Sequence, residues 1–274
     1  MTGEDPNVAG DQPRAVDLGA YETLEVGLEG GVLSVTLNRP DALNALDVTL
    51  MAELRALWRG LPAGVRCIVV SGAGKGFCAG ADMSLLESDR SDAAATVEDE
   101  LSFLPGDQVE VPVIAAVNGV CAGGGLHFVA DADIVIASAR ASFIDPHVSV
   151  GQVTALEPLT LRLQMRPDVL ARMALLGRHE KLSAEAARDA GLVSEVVEPD
   201  ALLPRAAELA AQIAGNSPAA TARSRRVLRE FERGLIGERL EAGWAEIREH
   251  WEHPDSKEGP AAFMEKREPE WGEP

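Results

Sequence analysis

The chain is poor in aromatic residues, with six Phe, four Trp and one Tyr among 274 positions. Core packing therefore falls mainly to Ala, Val and Leu. Cysteine is scarcer still: Cys67, Cys78 and Cys121 form no CxxC pair or other metal-ligand spacing. An odd, sparse set suits reduced thiols in a cytoplasmic compartment. No apolar run reaches the roughly 18 residues that a membrane-spanning helix needs. Basic residues are outnumbered, 25 Lys and Arg against 44 Asp and Glu, for a formal net charge of −19. Repulsion of that size opposes nucleic acid and anionic membrane as partners. It leaves room for an anionic small molecule only where local cations and backbone N–H donors are supplied.

What is present is 46% apolar, enough to bury the core of one large α/β domain or two small ones. Residues 1–18 are acidic and apolar-poor, lack the basic and apolar regions of a signal peptide, and are expected to be a disordered leader. YETLEVGLEGGVLSVTLNRP then alternates on both sides of Gly30 and Gly31, a hairpin pattern. Asp47 is placed as an N-cap before Leu50, Leu54, Leu57 and Trp58 at helical spacing. VRCIVVSG (65–72) and VPVIAAVNG (111–119) read as buried parallel strands, and DIVIASARASFIDP as one or two more. The Ala-rich acidic stretch 88–104 reads as helix, and GLVSEVVE (191–198) as a short strand or link. Helical periodicity follows over 156–176, 183–190, 199–214, 217–235 and 237–250. Strand–helix alternation giving way to helices alone predicts an α/β core with a parallel sheet over 19–200 and a helical region over 201–274. The charged tail holds Phe263 and Trp271, which want a surface to sit on.

Two glycine-rich loops, FCAGADM and NGVCAGGGLH, follow strand-like runs, where open α/β sheets place ligands. In the first, small residues let a ligand approach the backbone of Gly80 and Ala81. In the second, the glycines open a helix whose first N–H groups have no intrahelical partner. Either loop alone reads equally as a tight turn. GAGKGF is no phosphate loop, since the Ser or Thr after the Lys is missing. His127 follows the glycine triplet, and His147 stands twenty residues on, after Pro146. Arg223, Arg225, Arg226 and Arg229 line one helix face, read as solvated and paired with nearby Glu.

LNRPDALNALD, SGAGKGFCAGADM, PVIAAVNGVCAGGGLHFVADADIVIAS, SAEAARDAGLVSEVV, SPAATARSRRVL and EGPAAFMEKREPEW occur in this order. Together they resemble the crotonase (enoyl-CoA hydratase/isomerase) superfamily, from about Tyr21 to the C-terminus. The resemblance implies a spiral core of ββα units, a helical C-terminal trimerisation region, and a homotrimer or dimer of trimers. It implies an acyl-CoA thioester as substrate, with no separate cofactor and no metal. The oxyanion hole would be the N–H groups of Ala81 and Gly124, beside Gly123. Ala42 and Leu43, with Ala79, Gly80, Ala81, Asp82 and Met83, would hold the pantetheine and adenine; Pro146 and Gly151 would line the site, and Phe263 and Lys266 would reach a CoA.

Typical hydratases of this superfamily carry glutamates at the positions of His127 and His147. Imidazole, with an ordinary pKa near 6.5, can serve as base or acid around neutrality. A nearby helix N-terminus and oxyanion donors would favour the neutral rings. Three readings stay open. The histidines run an unusual lyase, decarboxylase or hydrolase reaction, including retro-Claisen cleavage of the 6-oxocamphor hydrolase type, with Glu157 orienting His147. Alternatively the site binds acyl-CoA without turning it over. In the third, ordinary hydration or isomerisation proceeds with Asp145 or Glu157 standing in for the missing glutamates. Asp145 would share a face with His147 if the strand ran that far.

Overall fold

The structure is a computed structural model, and it describes residues 19–82, 85 and 95–272. Strands β1 (Leu24–Glu29) and β2 (Val32–Leu37) form the expected antiparallel hairpin. Asp47 caps helix α1 (Val48–Arg59), its carboxylate accepting from Leu50 N at 2.7 Å, and Leu50, Leu54, Leu57 and Trp58 are buried. Strands β3 (Cys67–Gly72) and β4 (Gly76–Cys78) follow. Of the helix expected over 88–104, positions 88–94 lie outside the described residues. The remainder is the single turn α2 (Val97–Glu100) followed by a 3-10 turn, Leu101–Phe103.

Strands β5 (Val113–Val117) and β6 (Val120–Ala122) come next, then a 3-10 turn over Gly123–Gly125 and helix α3 (Leu126–Asp131). Strands β7 (Ile134–Ser138) and β8 (Ser142–Ile144) precede a 3-10 turn over His147–Val150. The periodicity over 156–176 is two helices, α4 (Leu156–Leu161) and α5 (Pro167–Leu176), because Pro167 suits a first helical position and not an interior one. Strand β9 (Lys181–Ser183), helix α6 (Ala184–Asp189), strand β10 (Glu195–Val197) and helix α7 (Leu202–Ala214) lead to the C-terminal helices. There, the two helices expected over 217–235 and 237–250 are one, α8 (Pro218–His250), since a lone Gly costs a helix only about 1 kcal/mol. The tail forms helix α9 (Asp255–Glu265).

The larger sheet runs β1-β2-β3-β5-β7-β10, parallel beyond the hairpin, and its β5 is buried along its whole length. Its continuous apolar strands fit a sheet covered on both faces. A second sheet, β4-β6-β8-β9, was not legible in the sequence, because each strand is only three residues long. It matters most for the site. β4, β6 and β8 are adjacent and parallel, so their carboxyl ends share one edge. The loops at 79–82, 123–127 and 145–150 leave from that edge. Each candidate loop is thus positioned by the small sheet, and not directly by the long strands that precede it in sequence.

Candidate functional site

Residues Leu46 and Ala81 form an isolated parallel bridge: Leu46 N donates to Gly80 O at 2.7 Å and Asp82 N donates to Leu46 O at 2.8 Å. In that pattern the Ala81 N–H points away from Leu46 and is not spent on the bridge. Gly124 lies in a first helical turn, so its N–H lacks a partner within its own helix. The two backbones touch. A Cβ built on Gly80 would sit 3.3 Å from Gly124 N, and one on Gly124 would sit 3.7 Å from Ala81 N and 3.1 Å from Leu46 Cδ1. Gly80 has φ +94° and Gly123 φ +48°, left-handed conformations that favour glycine.

The loop Arg39–Asp47 backs this corner. Leu43 and Asn44 both have positive φ, and fully buried Asn44 donates to Ala73 O and Gly76 O at 2.9 Å each. Arg39 bonds Ala45 O and pairs with Asp47 at 3.0 Å and Asp82 at 3.1 Å. Ala79 N donates to Leu43 O at 3.1 Å, so Ala42 and Leu43 adjoin Ala79, Gly80, Ala81 and Asp82. Met83 lies outside the described residues. Phe263 and Lys266 fall at the end of α9; Phe263 is 60% exposed, and neither side chain bonds the rest of the set.

The two histidines converge on one carboxylate. His127 Nε2 lies 3.1 Å from Glu157 Oε1, and His147 Nε2 lies 3.7 Å from the same oxygen. Asp145 follows the end of β8, and it reaches His147 through the turn: its Oδ1 is 2.6 Å from His147 Nδ1. Thr154 donates to the other Asp145 oxygen at 2.5 Å. Glu157 and Asp145 are 4% and 1% exposed. A Cβ on Gly123 would stand 3.6 Å from His147 Cε1, which places His147 against the glycine triplet.

Three phenylalanines form a chain of edge contacts that ends at His127. Phe103 meets it edge-on at 6.2 Å and also meets Phe128, which meets Phe77. A cavity of about 670 Å³ opens beside His127, with Leu104, Asp131, Gln164, Arg229 and Leu240 among its lining.

These contacts correct the expectation of a neutral ring at His147. Burial alone would lower the His147 pKa, but the carboxylates of Glu157 and Asp145 outweigh it and raise the value to about 9. His147 is therefore imidazolium at neutral pH. Burial by itself would raise the Glu157 pKa, yet His127 and His147 together hold it well below the usual carboxylate range. Thr154 carried no sequence signal, since nothing in GQVTALE marks it as a partner of Asp145. The arginine face is likewise not simply solvated: Arg225 is 6% exposed and bonds Asp133, Val109 O and Gly106 O, and Arg229 pairs with Asp131.

Parallel strands that deliver two glycine loops and an acid–base cluster to one edge define a spiral α/β protein of the crotonase fold. The family profile for enoyl-CoA hydratase/isomerase matches residues 27–274, and the chain belongs to that family. It is 37% identical to the mevalonyl-coenzyme A hydratase of Beauveria bassiana, over 88% of this chain and 91% of that one. Identity to the (E)-benzylidenesuccinyl-CoA hydratase of Thauera aromatica is 36%, over 90% of this chain and 97% of that one. Among solved structures, an enoyl-CoA hydratase/isomerase from Pseudoalteromonas atlantica superposes with a TM-score of 0.82 at 30% identity, covering 92% of this chain and all of that one.

Proposed function

We propose that the protein is an acyl-CoA hydro-lyase that adds or removes water across the α,β-carbons of a functionalised acyl-CoA, using two imidazole–carboxylate pairs in place of two glutamates. The thioester oxygen is held by the N–H groups of Ala81 and Gly124, and electrostatic stabilisation there is worth about 3 kcal/mol per donor. His147, charged and held at Nδ1 by Asp145, gives the proton to the α-carbon. His127, whose Nε2 lies 3.1 Å from Glu157 Oε1, takes a proton from water at Nδ1. The observation that carries this reading is the single Glu157 oxygen within 3.1 Å and 3.7 Å of the two rings. It supplies one buried anionic partner to both histidines, so that both rings are oriented by the same carboxylate. The mixed polar and apolar lining of the cavity beside His127, and the functionalised acyl groups named for the relatives above, favour a substrate more polar than a simple 2-enoyl chain. By family likeness the working form is a homotrimer or a dimer of trimers.

A second reading, hydrolysis of a β-ketoacyl-CoA or of the thioester itself, is favoured by one contact. The Thr154–Asp145–His147 chain is an arrangement that can also activate water once His147 is deprotonated. One experiment separates the readings. The protein is incubated with polar-chain enoyl-, 3-hydroxyacyl- and β-ketoacyl-CoA thioesters, and products are analysed by mass spectrometry alongside a thiol assay for free CoA. Gain or loss of one water without CoA release supports the hydro-lyase. C–C cleavage or CoA release replaces it with the hydrolase. Calorimetric binding without any product would leave a carrier.

A further inference from the structure

Both halves of the acid–base cluster lean on the C-terminal helices of the same chain. The turn that carries His147 ends at Gly151, with φ +64°, and a Cβ there would fall 2.1 Å from Asp255 O at the start of α9. One turn further along α9, a Cβ on Gly259 would fall 2.1 Å from Val150 O and 2.9 Å from Gly151 N. Backbone therefore meets backbone with no side chain between. Gln152 Nε2 donates to Ser256 O at 2.8 Å in a buried contact, and His250 Nε2 of α8 lies 3.0 Å from Gly151 O. From the opposite side, Ser149 Oγ accepts from Arg178 N at 2.8 Å.

The helix that carries Glu157 is held in a parallel way. A Cβ on Gly243 of α8 would stand 3.2 Å from both Ala155 Cβ and Leu159 Cδ1, and the next residue, Trp244, is buried against Leu156. Glu157 is the neighbour of Leu156.

We infer that the arm formed by α8 and α9 is a positioning element for the Glu157–His147 contact, with Gly259 and Gly243, which carry no side chain to offer a substrate, setting how closely the two segments are held. This rests on the acid–base roles proposed above. The reason is geometric. The turn and α4 are short segments, of four and six residues, and too small to fix their own placement. A misplacement of about 1 Å at a reacting group costs on the order of a hundredfold in rate. Titratable groups near His147 are Asp145 and Glu157 in contact, His127 through Glu157, and, behind the turn on the arm, His250, His253 and Asp255.

The test uses the full chain. Gly259→Ala should leave the affinity for coenzyme A, measured by calorimetry, within about twofold. It should lower kcat by about tenfold or more with little change in KM. In NMR of the free protein, the His147 imidazole should titrate well below its native midpoint near 9. Gly234→Ala is the control on α8, because a Cβ there meets nothing within 4 Å, and it should behave as the native chain. If Gly259→Ala does not fold, Gly243→Val presses only on side-chain atoms and carries the same readouts. A native His147 titration and native kcat in a folded Gly259→Ala or Gly243→Val protein would overturn the inference. His147→Gln separates this from the function itself: unchanged turnover there removes the acid–base reading, while the NMR titration still decides the positioning claim.

Discussion

His127 and His147 stand twenty residues apart in the chain and yet meet the same atom, Glu157 Oε1. One buried carboxylate thereby ties the two positions at which the family resemblance implied a glutamate each. The exchange moves the negative charge to α4 and places imidazoles next to the glycine loops. The proton inventory inverts: instead of two acids whose pKa values must be pushed apart, the site holds one imidazolium fixed between two anions, and a second ring hydrogen-bonded to one of them.

That arrangement fixes the direction of a pH effect on turnover. A proton donor at His147 is competent while charged, so kcat/KM for the free protein should fall as pH rises through about 9. His147→Gln should lower turnover by about two orders of magnitude and remove this alkaline limb. A pH–rate profile of both proteins on the same thioester checks it; an alkaline limb that persists in the variant would assign it to another group.

Glu157→Gln keeps the shape of the side chain and deletes its charge. The Glu157 charge is the largest influence raising the His147 pKa against burial, so the NMR midpoint of His147 should move from about 9 toward the ordinary 6.5. Turnover should fall by about a hundredfold, because His127 and His147 lose their common anion together. A midpoint still near 9 would mean that Asp145 alone sustains the imidazolium.

Gly124→Ala tests the oxyanion corner without challenging the backbone, since Gly124 is not among the positive-φ glycines. The added methyl would stand 3.7 Å from Ala81 N and press on the tip of Leu46 at 3.1 Å, inside the space a thioester oxygen needs. Turnover should drop by about a hundredfold or more, while the melting temperature shifts by only a few degrees. Native turnover would move the oxyanion site elsewhere.

How much of this was legible beforehand depends on element length. The hairpin, the Asp47 cap and the long buried strands announce themselves, because alternation, capping chemistry and apolar runs are local. The sheet β4-β6-β8-β9 does not, since three-residue strands hold no period and exist only through pairing with distant segments. The same holds for the site. His127, His147 and the glycine loops are visible in the sequence, and Glu157 is visible as an acid at an awkward offset from His147. Its bridging position follows from α4 packing across α3, a tertiary fact. Thr154 meets Asp145, nine residues earlier, because the chain folds back around the His147 turn.

Arg225 offers a stability test away from the chemistry. It is 6% exposed, pairs with Asp133 at 2.8 Å and bonds two backbone carbonyls, Val109 O and Gly106 O. Removing one partner of such a buried pair leaves the other charge and both carbonyls uncompensated. Arg225→Ala should therefore cost about 3–5 kcal/mol in urea unfolding. The exposed pair Arg226–Glu110 is screened by solvent, and Arg226→Ala should cost less than about 1 kcal/mol.

The raised His147 pKa also has a consequence for folding that can be read without any substrate. In the unfolded chain the ring titrates near 6.5, and in the folded chain near 9. Below pH 6.5 the ring is protonated in both states, and its favourable contact with Asp145 and Glu157 contributes fully to stability. Between pH 6.5 and 9 the unfolded chain has released the proton while the folded chain retains it, so raising the pH progressively favours unfolding. Above about 9 the folded protein releases it too, and the contribution is gone. The whole effect is on the order of 3 kcal/mol. Urea unfolding from pH 6 to 10 should therefore show native stability declining more steeply than that of His147→Gln, in which this linkage is absent. Parallel curves for the two proteins would mean that His147 does not hold its proton between Asp145 and Glu157, and the assignment of His147 as the acid would fall with it.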